Sequence, residues 1–316
     1  MPRVLVIGAR RTRQGIGPFV ARAFARAGAT VRAVVGSTDE TARQAARDLE
    51  SEGISCTGYG DLDLALAETN PDIVALCSPI TYHREQLETV ARAGCHCLCE
   101  KPFFWTEEGE VADRGAEAGR LVDAFSGRGL VLALLTQWPC TLPFYDRLWP
   151  GVATEAITSF SMLLGPTSTS REAILDSAPH PLSMLQRLLG CGVIEDAQAR
   201  WEDPDGRDLS LGFGYRHRLG RTEVTCRFTT TPTPPRPAGY ALNGRWVDRA
   251  IELPSYRMVF RAGEREVPIE DPLDALVLDF LRRFEEKRPE ERWRFVEGIR
   301  NLEALVSVLP RRGKTT

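Results

Sequence analysis

The side chains of this chain best suited to chemistry are a lysine that follows an apolar run and an aspartate–histidine pair spaced i, i+4. Lys101 stands in Glu100-Lys101-Pro102, directly after Cys95-His-Cys-Leu-Cys99. Asp176 and His180 stand in Asp176-Ser-Ala-Pro-His180, just before the apolar positions Leu182, Leu185, Leu188 and Leu189. Oxidising an alcohol requires a base to take the hydroxyl proton as hydride leaves carbon, and an imidazole, with an ordinary pKa of about 6.5, does this near neutrality. Asp176 would orient that imidazole and favour its charged form. The Lys101 ammonium would hydrogen-bond the reacting oxygen and stabilise developing alkoxide charge. Glu100 is better suited to pairing with Lys101 or a backbone amide than to reacting.

These groups are useful only if the chain delivers them to a ligand. Residues 72–79 read as a buried strand, followed by a crossover helix ending at Gly94 and a second strand from Cys95 that delivers Glu100, Lys101 and Pro102 at its carboxyl end. In open parallel sheets, ligands bind outside those ends. Prolines at 179 and 181 are tolerated only in a first turn, so Asp176 and His180 are expected to open a helix rather than sit within one.

The first 125 residues alternate strand and helix: strands at 3–8, 30–35 and 72–79, helices at 18–27, 39–49 and 61–69, and a helix capped by Thr106 running to about 124. This is the pattern of a doubly wound parallel fold. Beyond Gly127 come a buried strand at 130–136 and strand candidates at 153–163, 198–201, 209–215, 223–229 and 256–261. The proline-rich stretch 230–237 cannot continue a ladder and reads as a loop or sheet edge. Helices at 271–286 and 289–309 close the chain. The expected plan is α/β. An N-terminal Rossmann domain with a parallel sheet occupies 1–125. A C-terminal α+β domain with a large, open, mostly antiparallel sheet occupies 126–316, its terminal helices able to pack back on the first domain.

A dinucleotide would place its pyrophosphate at the N-terminus of the first helix, on free N–H groups approached through glycine. Gly8, Gly15, Ile16 and Gly17 occupy that loop, with Arg10 and Arg11 beside them, although the spacing is longer than Gly-x-Gly-x-x-Gly. The alternative is an ordinary polar turn. At the end of the second strand an acid would select NAD; Gly36, Ser37 and Thr38 stand there instead, with Asp39 close by. That favours NADP over NAD, and an acid placed at Gly36 should weaken NADP. Either hydroxyl would serve equally as a helix cap.

Residues 72–79 and 95–102 together resemble the signature of the Gfo/Idh/MocA oxidoreductase family. Lys101 matches the lysine of that family's Glu-Lys-Pro motif, and Asp176 and His180 match its Asp-x-x-x-His pair; a glycine usual between the two is Ala178 here, and an acid usual after the histidine is Ser183. The resemblance covers nearly the whole chain. It implies an NAD(P)-dependent oxidoreductase acting on a small polar molecule, most plausibly a sugar or cyclic polyol. It places Ser78, Pro79 and His83 near the nicotinamide end, and Gln137, Trp138 and Pro143 near substrate. Trp138, Tyr145 and Trp149 could stack against a sugar face or belong to a core, and His83 could instead face solvent at a helix start. His96 and His217 receive no role. The rival reading is a non-catalytic binding protein that keeps the fold, suggested by the stretched loop, Ala178 and Ser183.

Bulk properties narrow the partners. A net charge of −3 gives no electrostatic footprint for nucleic acid or an anionic membrane. No run approaches the roughly 20 apolar residues of a membrane span. The N-terminus leads straight into a strand without signal-peptide architecture, so a cytoplasmic protein is expected. Cys95, Cys97 and Cys99 would share one strand face, but with no second cysteine pair they read as core packing rather than a metal site. The alternating apolar residues of 209–215 would leave an exposed patch unless a homodimer or higher homo-oligomer covered it.

Overall fold

The computed structural model describes residues 1–9, 15–107, 109–252 and 257–309. Two compact units emerge: Met1–Thr136 with Leu273–Val296, and Gln137–Pro272 with the chain from Glu297 onward.

The first unit carries β1 (Arg3–Ile7), α1 (Gly17–Arg26), β2 (Thr30–Val35), α2 (Asp39–Glu50), β3 (Thr57–Tyr59), α3 (Leu62–Thr69), β4 (Ile73–Leu76), α4 (His83–Arg92), β5 (His96–Glu100), α5 (Arg114–Ser126) and β6 (Leu132–Leu135). Its strands form one parallel sheet in the order β3-β2-β1-β4-β5-β6. β4 is buried at every position, as it must be with helices on both faces. Cys95, Cys97 and Cys99 are likewise buried. Arg3 grips Asp72 through its backbone N–H and its guanidinium, both at 2.8 Å, and so pins the start of β1 beside β4. β6 pairs with β5, which carries the parallel sheet past residue 125.

Helix ends follow local chemistry. Asp61 caps α3 through the Leu64 N–H, and Asn70 ends it in the left-handed region at φ +40°. The cap expected at Thr106 is instead Asp113, which accepts from the Ala116 N–H at 2.9 Å. The reason is burial: residues 102–106 are all buried, and the Thr106 carbonyl takes the Arg114 guanidinium at 3.0 Å, so α5 starts only once the chain returns to the surface.

Glu117 on α5 receives Arg120 at 2.7 Å and also Arg84 of α4. Chiefly through its hydrogen bond to Arg120, its pKa falls from 4.5 to about 2. A depressed carboxylate contributes stability above its unfolded pKa and loses it as pH drops through the folded value. Glu117→Gln is therefore expected to lower stability at pH 7 by about 1–2 kcal/mol, discounted because both arginines are substantially exposed. The gap from the native chain should close between pH 4.5 and about 2 in denaturant titrations. A gap that stays constant with pH would refute the assignment.

The second unit carries α6 (Leu142–Leu148), β7 (Ser159–Leu164), α7 (Ser170–Ser177), α8 (Pro179–Leu189), β8 (Gly192–Trp201), β9 (Asp208–His217), β10 (Gly220–Thr229), β11 (Ala238–Leu242), β12 (Arg245–Glu252), β13 (Arg257–Ala262) and β14 (Arg265–Ile269). The closing helices are α9 (Pro272–Glu285) and α10 (Arg292–Ser307), and the unit boundary falls within α10. One eight-stranded sheet runs β14-β13-β12-β11-β7-β10-β9-β8, antiparallel except where β7 meets β10. The chain from 230 to 237 lies outside any strand, as its prolines require.

The patch expected on β9 does not exist at the surface. Leu209, Leu211, Phe213 and Tyr215 are 0–3% exposed, all on the inward face. The opposite face is laced by ion pairs, Arg216–Glu195, Arg221–Asp196 and Arg227–Asp208. The apolar alternation is satisfied within one chain and gives no reason for a dimer.

Candidate active site

The parallel register gathers the first-unit candidates on one edge of the sheet. Ile7 lies beside Val35 and Leu76, and Leu76 beside Cys99. Gly8, Gly36, Ser78 and Lys101 therefore follow the carboxyl ends of four adjacent strands. Lys101 is half-buried there, before the fully buried stretch 102–106. Glu100 is also half-buried. Its charge reinforces the burial that holds the Cys77 and Cys99 thiols well above their ordinary pKa.

The cradle above β1 is built for close approach. A Cβ on Gly8 would lie 2.6 Å from the Cys77 carbonyl oxygen, and one on Gly17 would lie 2.3 Å from the Gly8 carbonyl oxygen. Gly8 also has φ +84°, a conformation glycine adopts without strain. Ile16 precedes α1 without any side-chain cap, Pro18 fills the first turn, and no acid lies there. Pro18 has no N–H and the Phe19 N–H donates to the Ile16 carbonyl at 2.9 Å, so the Gly17 N–H is the first-turn amide left for a phosphate, with no acid in that turn to oppose one. Gly15 and Ile16 are half-buried beside it; Arg10 and Arg11 lie outside the described residues. These features fit a dinucleotide.

At the end of β2, Thr38 is the N-cap of α2: its hydroxyl accepts from the Thr41 N–H at 3.2 Å, and its own N–H donates to the Thr41 hydroxyl at 3.0 Å. Asp39 is engaged elsewhere, accepting from the Gly60 N–H at 2.9 Å and from Arg43. Ser37 is exposed. Gly36 is packed against the helix it precedes, since a Cβ there would stand 2.8 Å from the Ala42 nitrogen. An acid at Gly36 would displace α2, so that substitution cannot report on charge alone.

His83 does not face solvent. It is 1% exposed, with Nε2 2.8 Å from the Ser78 carbonyl oxygen and Nδ1 3.1 and 3.2 Å from those of Pro102 and Phe103. Burial pushes its pKa down. The ring ties the Ser78 turn, where Pro79 is exposed, to the segment just after Lys101. Both ring nitrogens thus face backbone carbonyls on either side of the turn. His96 and His217 are structural too: the His96 Nδ1 accepts from the Val131 N–H at 2.8 Å, and the His217 Nε2 lies 3.2 Å from the Thr222 hydroxyl.

In the second unit, Asp176 and His180 do not open a single helix. Asp176 lies in the last turn of α7 and His180 in the first turn of α8, separated by Ala178. Pro179, lacking an N–H, forces the break between them. Asp176 is exposed and His180 half-buried, its ring 6.4 Å from that of Trp138 in an edge-on arrangement. Ser183 is buried, and its hydroxyl donates to the His180 carbonyl at 2.8 Å; Ala178 is fully buried. Both departures from the family pattern thus serve the helix junction.

Trp138 is 5% exposed, in a short 3-10 turn after half-buried Gln137, and meets Tyr240 at 5.9 Å. Tyr145 is core, stacked on Tyr240 at 5.0 Å with its hydroxyl on the Arg245 carbonyl at 2.7 Å. The Trp149 ring is covered by Arg265 at 4.2 Å. Of the three, Trp138 alone meets His180, through a spacing no helical stripe would have singled out. Among the described residues, no cluster of three or more His, Cys, Asp or Glu is placed to hold a metal ion.

Residues 2–132 match the Gfo/Idh/MocA family, described as oxidoreductases with an NAD-binding Rossmann fold. Over 275 residues the chain is 29% identical to a dTDP-3,4-didehydro-2,6-dideoxy-alpha-D-glucose 3-reductase from Streptomyces violaceoruber, covering 78% of this chain and 75% of that one. A UDP-N-acetylglucosamine 3-dehydrogenase from Acidithiobacillus ferrooxidans superposes at TM-score 0.69 with 22% identity, over 98% of this chain and 99% of that one. A 3-ketoreductase from Actinomadura kijaniata, solved with NADP, superposes at 0.71 with 20% identity over 97% of each. At such identities the solved structures establish the shared fold.

Proposed function

From a chain that belongs to the Gfo/Idh/MocA family of NAD(P)-dependent oxidoreductases, we propose a dehydrogenase or reductase of a sugar, working at a ring hydroxyl or ketone. The relatives from Streptomyces, Acidithiobacillus and Actinomadura are each named for position 3 of a sugar or as a 3-ketoreductase, which supports that position here. The observation that carries the reading is His180: of four histidines it is the one in the first turn of α8 beside Trp138, while the other three serve backbone groups or Thr222.

Gly8 and the Gly17 N–H that opens α1 would hold the pyrophosphate; Ser37 and its neighbours would hold the adenosine ribose; and Ser78, Pro79, Glu100 and Lys101 would border the nicotinamide. When bound, that coenzyme supplies the hydride donor or acceptor. His180 takes the hydroxyl proton, or returns it to the ketone oxygen, with Asp176 favouring the charged imidazole. To Lys101, at the end of β5, we assign the stabilisation of negative charge on a reacting oxygen. The test is nucleotide absorbance with a panel of sugars, sugar nucleotides and their 3-keto forms; no change with any of them would overturn the sugar reading.

The coenzyme preference is open to direct measurement. No acid stands at positions 36–38 after β2, and the next residue, Asp39, is turned to the Gly60 N–H and Arg43. NADP is expected to bind more tightly than NAD in fluorescence titration, and Ser37→Asp should weaken NADP by at least about tenfold while sparing NAD. Equal affinity of the native chain for the two coenzymes would refute it.

A further inference from the structure

One half-buried cation in the second unit, its Nε fully enclosed, has no carboxylate partner among the described residues. Arg249 stands on β12 opposite Phe260 of β13, and by strand alternation on the same inward face as fully buried Val247. Its Nε is buried without a hydrogen-bond partner. Its guanidinium lies over the Trp138 ring at 5.2 Å, and the one nearby charge that shifts its titration is another cation, Arg236. Burial and that cation lower its pKa to about 10, which still leaves it charged at neutral pH. Buried charges in folded proteins are ordinarily paired. This chain obeys that rule even on its outer sheet face, where Arg216, Arg221 and Arg227 each have a carboxylate.

Trp138 is also the neighbour of His180, at 6.4 Å between rings. One indole therefore meets both the proposed base and this guanidinium.

We propose that Arg249 is a specificity-determining residue that binds an oxyanion, phosphate or carboxylate, carried by the substrate close to the carbon served by His180. A planar guanidinium takes such a group through paired N–H donors, and Trp138 holds its plane in place. The inference deepens the sugar reading above: it selects charged sugars, either phosphate-linked or acidic, over neutral ones.

Calorimetric titration of this chain with dTDP, inorganic phosphate, D-glucuronate and methyl β-D-glucoside separates the possibilities. At least one anionic probe should bind more tightly than the neutral glucoside, and Arg249→Met should weaken it by about 10- to 100-fold, as for a charged hydrogen-bonding partner lost. Arg249→Gln, which keeps a hydrogen-bond donor and removes the charge, should show a comparable loss and serves if the Met variant does not fold. NADPH affinity should be unaltered in either. Binding by dTDP or phosphate identifies a phosphate-bearing substrate, and binding by glucuronate an acidic sugar. Anion binding no tighter than glucoside binding, or unchanged in both variants, overturns the proposal. Arg249-dependent anion binding without turnover of any sugar would sink the sugar reading and leave this one standing. Turnover of neutral sugars unaffected by Arg249→Gln would do the reverse.

Discussion

Replacing His180 or Lys101 by Ala is expected to lower kcat by about 10²–10⁴, the contribution of a positioned acid–base group. The two residues come from different elements, the first turn of α8 and the end of β5, and neither fills a core position whose loss would unfold its unit. The pyrophosphate contacts should survive both substitutions, because neither residue is placed at the Gly8–Gly17 cradle, so coenzyme affinity should change little for His180→Ala and only through the nicotinamide end for Lys101→Ala. If both act on one oxygen, the double substitution should cost far less than the product of the singles. Strictly multiplicative losses would mean that the two act independently, and full turnover by His180→Ala would remove His180 from the reaction.

Gly17→Ala is expected to have the next largest effect. The added methyl meets backbone atoms, the Gly8 carbonyl oxygen at 2.3 Å and the Ala9 Cα at 2.9 Å, so no side chain can turn aside to accept it. Overpacking of this kind costs about 1–3 kcal/mol. Borne by the coenzyme complex, that is a loss of roughly 5- to 150-fold in affinity. Fluorescence titration should show it as weaker NADP binding, with little change in substrate-side behaviour. Unaltered NADP affinity would mean that the first turn of α1 does not carry the phosphates.

The first unit was the more legible from sequence because its strands are buried on both faces and its helices are amphipathic, so runs and periods coincide with elements. β3 is only Thr57–Tyr59, too short to leave a pattern. In the second unit, β11, β12 and β14 escaped notice. β11 follows a proline-rich loop and contains Gly239, where a Cβ would come within 2.5 Å of the Val247 carbonyl; β14 contains Pro268, tolerated because that strand is the sheet edge. Lys101, Asp176 and His180 were visible because they sit in motifs. Arg249 was not, because nothing in Val-Asp-Arg-Ala announces a guanidinium lying beneath a tryptophan more than a hundred residues earlier. The break between Asp176 and His180 was written in Pro179, but two short helices and one long one share the same apolar spacing.

The contact between Gly36 and α2 bears on how this protein could change its coenzyme in evolution. The usual route, one substitution that installs an acid at the end of the second strand, is closed, because any side chain at 36 meets the Ala42 backbone before it meets a ribose. A lineage turning toward NAD must either recruit the next residue, Ser37, or first move a helix through changes around Thr41 and Ala42. An NADP preference, once titration shows it, would thus be held by backbone packing as well as by charge.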